Sequence, residues 1–199
     1  CYTNPVRNLF TPHKGSHAMS APNWDELAEL ALKRVVASGA EYGDIRLLDS
    51  TTQTIRGEDR RIDFIREAQD KGFGIRVLYH GAWGFAASSV LSLEEVPRVA
   101  ELAIEIAKGS ASVASEKVKL ADESVHRDRV VTAQRIDPFA VALERKTALL
   151  LETMEYVHRQ PGIVRSSASL WARQDRKLFV STEESRLEFD LLALSGDFD

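Results

Sequence analysis

Catalysis in this chain would have to come from five histidines, a single cysteine and thirty carboxylates. The histidines are His13, His17, His80, His126 and His158. Only His13 and His17 have the i, i+4 spacing that sets two imidazoles on one helix face, and they flank Gly15 in unpatterned sequence, where no helix is expected. Cys1 is the only cysteine, which excludes an internal disulfide and a cysteine-based metal site. Gly72-x-Gly74 lacks the third glycine of a dinucleotide loop and leads into a strand pattern rather than a helix. No Walker-type loop and no G-x-S-x-G elbow is present. Glu94, Glu95, Glu101 and Glu105 fall on the polar face of a helical pattern, and Asp59-Arg60-Arg61 and Asp175-Arg176-Lys177 read as turns. The residues therefore spell out no active site.

Binding is the remaining chemistry, and it concentrates in "GFGIRVLYHGAWGFAAS", residues 72–88. Two apolar runs meet at His80-Gly81, the signature of a tight hairpin. Gly74, Arg76, Trp83 and Gly84 are the candidates for a peptide-channel wall or an interface. Gly74 and Gly84 are expected where no side chain fits, Val77 and Phe85 in the core, and Arg76 on the opposite face. Scaffold is the preferred role of this hairpin, channel wall the alternative.

The elements that must position it follow from periodicity. Asn23–Ser38 reads as a capped helix with Leu27, Leu30, Ala31 and Val35 inward. From Gly43 the period becomes two, giving strands at 45–55, 61–68, 73–79 and 82–88, with Gly57 at the first bend. Ser92 and Glu95 form a capping box for a helix stopped by Gly109, with Val96, Val99, Ala100, Ala103, Ile104 and Ala107 as its stripe. Residues 110–134 are a polar crossover containing a short strand near Arg129–Ala133. Asp137-Pro138 opens a third helix running to about Arg159. Three strands follow, turning at Asp175-Arg176 and near Glu183-Glu184. The fold class is thus α+β: a largely antiparallel sheet, a four-stranded meander plus three C-terminal strands, with helices packed on one side.

The net charge of −4 argues against nucleic acid or an anionic membrane as partner. No apolar run approaches the ~20 residues of a membrane span, so a cytoplasmic protein is expected. Residues 1–18 are expected to be a non-native or disordered leader, with Met19 the natural start. Residues 19–199 are expected to be one domain of a chain truncated at its C-terminus.

Four blocks in order, "ALKRVVASGAEYGDIRLLDS", "KGFGIRVLYHGAWGFAASSVLSLEEV", "DPFAVALERKTALLLE" and "VRSSASLWARQDRKLFVSTEESRLE", resemble the N-terminal domain of the TldD/PmbA family. This family comprises zinc metallopeptidases once described as modulators of DNA gyrase, and the "GAWGF" form is more similar to the TldD-type subunit. The resemblance implies a second domain bearing an H-E-x-x-x-H zinc helix, which no position here matches; zinc is therefore expected outside these residues. It also implies packing against that catalytic domain, a homodimer or a heterodimer with a paralogous subunit, and an unfolded or small peptide as substrate. A non-catalytic partner module of the PmbA type is the alternative. Family turns near Thr182 often carry Gly where this chain has Glu184, which leaves the last hairpin's geometry open.

Overall fold

The computed structural model describes residues 23–199. The expected leader over 1–18, Met19, and the pair His13 and His17 lie outside the described residues. Helix α1 spans Trp24–Ala37. The Asn23 side chain accepts a hydrogen bond from the Asp25 N–H at 3.2 Å, and Asp25 and Glu26 sit in the first turn, where the helix dipole favours acids. Gly39 follows with φ +77°, a left-handed stop that glycine adopts without strain.

Three strands then form an antiparallel meander: β1 Tyr42–Glu58, β2 Arg61–Tyr79 and β3 Ala82–Ser88. The expected break between residues 68 and 73 is absent. β1 presents an unbroken ladder, and Leu48↔Gly72, Asp49↔Lys71 and Ser50↔Asp70 pair straight through it. The turn expected at Asp59-Arg60 is present, but its bend is not at Gly57. Asp59 and Arg60, both at positive φ, make the bend, and Gly57 lies inside β1 beside a register shift.

Helix α2 is Glu95–Val113. The Glu95 N–H donates to Ser92 Oγ at 3.1 Å, so Pro97 falls in the first turn, where its missing N–H costs little. Gly109 does not end this helix, which runs one turn further. After a crossover over 114–126, β4 Arg127–Val131 lies parallel to the last strand. Helix α3, Leu143–His158, starts later than Asp137-Pro138 suggests. Asp137 instead closes a local turn by accepting from the Phe139 N–H at 2.8 Å.

β5 Ser167–Ser181 and β6 Arg186–Phe198 complete a six-stranded sheet of order β3-β2-β1-β5-β6-β4. Asp175-Arg176 is not a turn. Asp175 pairs with Ser50 in the ladder and is buried there, accepting from Ser50 Oγ at 2.6 Å. The turn at Glu183-Glu184 is present. Glu184 itself takes φ +63°, so the hairpin keeps the backbone that a glycine would adopt. Among the described residues the fold is α+β, a mixed but mostly antiparallel sheet with three helices.

All three helices cover one face. Leu27, Ala31 and Val35 of α1 and Val99, Ala103 and Ala107 of α2 pack on Ile45, Leu47, Ile75, Val77, Ala86 and Leu178. Leu150 and Met154 of α3 pack on Ile55 and Ala168 further along the same face. Gly84 makes the closest approach. A Cβ there would sit 2.1 Å from the Ala103 carbonyl oxygen and 2.5 Å from the Ala107 nitrogen, both backbone of α2. Gly84→Val would have to push the helix off the sheet. It is expected to destabilise the fold by about 3 kcal/mol, the upper end of overpacking costs. Denaturant unfolding of the variant measures this, and a midpoint equal to wild type would contradict the contact.

Candidate functional site: the uncovered face of the sheet

Strand alternation sends every second residue away from the helices. On β1 these are Tyr42, Asp44, Arg46, Leu48 and Ser50. Their cross-strand neighbours include Leu78, Arg76 and Gly74 on β2, and Ser181, Phe179, Lys177 and Asp175 on β5. Trp83 and Phe85 of β3, and Leu187 and Phe189 of β6, extend the same rows.

The four predicted residues divide between the two faces. Arg76 and Trp83 lie together on the uncovered face. Gly74 joins them, pressed beneath the Phe85 ring, where a Cβ would stand 2.9 Å from Cε2. Gly84 belongs to the helix face, in the scaffold role. Val77 is buried as expected, but Phe85 is not in the core: it is 57% exposed. Because Gly84 gives up its side-chain space to α2, its neighbours Trp83 and Phe85 must point the other way.

Asp44 organises this face. It is 0% exposed. The Arg76 guanidinium donates to its Oδ2 twice, from Nε at 2.9 Å and from Nη2 at 2.6 Å. Arg46 Nε approaches its other oxygen at 3.4 Å. The guanidinium of Arg76 lies 5.1 Å over the Trp83 ring, which meets Tyr42 edge-on at a centroid distance of 5.9 Å. Arg46 lies 5.4 Å over Phe179 and Arg56 4.6 Å over Phe64. Each arginine thus has a ring beneath it, which fixes its plane at small entropic cost.

A second buried acid sits lower on the sheet. Burial alone would raise the Asp175 carboxyl, but hydrogen bonds from Arg173, Ser50 and Lys177 win and hold it below the usual range. Between the two acids lies a shallow apolar cavity of about 510 Å³. Leu48, Phe179, Leu187 and Phe189 line it, with Arg46 and Lys177 at its rim. Such a surface can hold a chain by apolar contact while offering cations to carbonyl or carboxylate oxygens. The hydroxyl–carboxylate pair of Ser50 with Asp175 is buried in the ladder and does not face the cavity.

Sequence reasoning passed over Asp44 and Phe179 and assigned Asp175 and Lys177 to a turn. The signal for the first was present, since "YGDIRLLDS" alternates strictly. Ile45 and Leu47 mark one face of it, and the charges at 44 and 46 necessarily mark the other. His80, His126 and His158 stand in a turn, a crossover and a helix end. Among the described residues no three His, Cys, Asp or Glu side chains are grouped to hold a metal. No described helix is long and apolar enough to cross a membrane.

Residues 43–107 match the family model described as PmbA/TldA metallopeptidase domain 1. A metalloprotease of Methanocaldococcus jannaschii is 28% identical over 152 residues, 76% of this chain and 33% of that protein. One from Methanothermobacter thermautotrophicus is 26% identical over 148 residues, 74% of this chain and 31% of that protein. The chain spans about a third of the length of the curated relatives it matches. Among solved structures, a protein from Thermotoga maritima described as a modulator of a DNA gyrase superposes with a TM-score of 0.63 at 15% identity. It covers 88% of this chain and 38% of its own. TldE from Thermococcus kodakarensis gives a TM-score of 0.56 at 13% identity, covering 87% and 37%. At these identities the superpositions speak for the fold alone.

Burial, and next to it the Asp44 charge, pushes the Tyr42 hydroxyl up to about 12. Folding therefore favours the neutral phenol. The resulting stability is fully present below pH 10, where an unfolded tyrosine is also neutral, and is lost as pH rises through 12. Two units correspond to about 2–3 kcal/mol. Tyr42→Phe is expected to lose less stability than wild type between pH 10 and 12. Denaturant midpoints across that range check this, and parallel profiles would place the phenol in water.

Proposed function

We propose that this chain belongs to the PmbA/TldD metallopeptidase family as its domain 1, and is the substrate-chamber and scaffold domain of a cytoplasmic, TldD-type zinc metallopeptidase acting on unfolded or small peptides. The uncovered sheet face carries this reading. It is apolar at its floor and cationic at its rim, and the two acids beside the cavity, Asp44 and Asp175, are buried against Arg76 and against Arg173 and Lys177. The described residues of β2 from Arg61 to Gly72 also lack a second neighbour, since β3 pairs only with 73–79. A free edge of this kind accepts an extended chain through backbone hydrogen bonds, largely independent of its sequence.

The described residues do not fit a zinc site, so this domain's share of the reaction is binding and positioning. Zinc, the general base and the H-E-x-x-x-H helix belong to a second domain in this reading. That domain, and a like or paralogous subunit, are the partners the uncovered face would meet. The alternative is a partner module of the PmbA type without its own zinc, favoured by the lack of any catalytic grouping among the described residues.

Zinc content and cleavage of unfolded casein, measured on the full-length protein, separate the two readings. The first expects stoichiometric zinc and chelator-sensitive cleavage. Absence of both, in a properly folded product, leaves the partner module. Phe179→Ala removes the ring beneath Arg46 and part of the cavity floor. It is expected to raise KM for peptide roughly 3- to 10-fold, the worth of one cation–π contact, with kcat little changed. An unchanged KM would remove this face from substrate binding.

A further inference from the structure

On the opposite side of the sheet, away from the proposed peptide face, a buried lysine lines an apolar cavity. Lys146 of α3 is 8% exposed. Its Nζ donates to Gln53 Oε1, and Gln53 Nε2 donates onward to Glu67 Oε2 at 3.2 Å. Lys146 forms no ion pair among the described residues, and Gln53 is its one hydrogen-bond partner there. Two of its three donors are thus without a protein acceptor. A buried ammonium in that condition is costly, and buried charges are normally paired.

The cavity, of about 240 Å³, is walled by Ile136, Val141, Leu149 and Leu194, with Lys146 and Gln53 among its polar lining. Ile136, Leu149 and Leu194 are themselves largely exposed, which is unusual for three aliphatic side chains around one mouth. One cation set among aliphatic walls is the complement of one carboxylate on an aliphatic group. The acid nearest along the hydrogen-bond relay, Glu67, is exposed and does not fill the place.

We propose that this cavity is a binding site for a small aliphatic carboxylate, the carboxylate accepting from Lys146 Nζ while a tail about the size of a leucine side chain fills the space between Ile136, Leu149 and Leu194. The same chemistry is offered by a free branched-chain acid and by the C-terminal residue of a peptide ending in leucine. The site does not depend on the peptidase reading, because it lies on the other face.

Titration of the full chain with 4-methylpentanoate and with Ala-Ala-Leu, each against its C-terminal amide, tests this. The probes are followed by calorimetry and by amide chemical shifts. At least one of the two acids should bind with Kd of roughly 0.1–1 mM, shifting Lys146 and Leu149. The matching amide should bind at least tenfold more weakly. Whichever acid binds identifies the source. Lys146→Met should lose binding at least tenfold. Leu149→Asp, at an exposed position, should do the same by placing a like charge at the mouth, and it keeps the test open should the first variant fail to fold. Amides binding as well as acids, neither acid binding below about 10 mM, or shifts confined to the other face would each overturn the proposal.

Discussion

The contact between the α2 backbone and β3 is the constraint on which the arrangement rests. With Gly84 bare, α2 lies directly on the sheet, its Ala100, Ala103 and Ala107 small enough to allow it. Two other glycines repeat the device on the same face. A Cβ at Gly43 would strike Val35 of α1 at 2.5 Å, and one at Gly57 would strike Met154 of α3 at 2.6 Å. Each helix therefore sits over one glycine of the helix face. Strand parity does the rest: once Gly43 and Gly84 face the helices, Asp44, Trp83 and Phe85 must face away.

The uncovered face has to satisfy two opposing demands. A fully apolar face would collapse on another copy or aggregate, whereas a fully charged one would offer no apolar contact to anything. The chain meets both by burying Asp44 and Asp175 in the sheet and setting Arg46, Arg56 and Arg76 over aromatic rings. Asp44 with Arg76 of β2, and Asp175 with Ser50 of β1, hold the rows in register, while Arg173 and Lys177 flank Asp175 on its own strand. Buried pairs of this kind add little net stability, because desolvation offsets their attraction. Breaking one is another matter, since the surviving charge then stays buried alone. Their contribution is to fix where the cations stand.

The sequence was most legible where one period ran unbroken. α1, the α2 stripe, the His80-Gly81 turn and the Glu183-Glu184 turn all follow from spacing and local capping. It misled where polar residues interrupt a strand that tertiary pairing carries through. Gln69-Asp70-Lys71 and Asp175-Arg176 look like turns in isolation. β1 supplies partners along its whole length, and that ladder outweighs their local preference. Four meander strands thus became three, and two C-terminal strands fused into β5. The site was half legible for a related reason. Arg76 and Trp83 stood out by composition, while Asp44 and Phe179 needed the register to show that they share their face.

Lys146 marks the limit of reading by periodicity. At its position the pattern calls for an apolar residue, and α3 presents Lys146, Leu150 and Met154 as its buried residues. An amphipathic lysine can bury its stem and keep its head in water, but this head ends on the half-buried Gln53. Elsewhere on the helix face cations are paired with acids of a neighbouring strand, Lys71 with Asp49 and Arg176 with Asp190, so an unpaired cation there departs from the way the rest of that face is built. On the uncovered face each buried charge comes with its counter-charge, Asp44 with Arg76 of the neighbouring strand and Asp175 with Arg173 and Lys177 of its own. On the helix face this one does not, and the aliphatic walls around it leave a space where a counter-charge with an apolar body would fit.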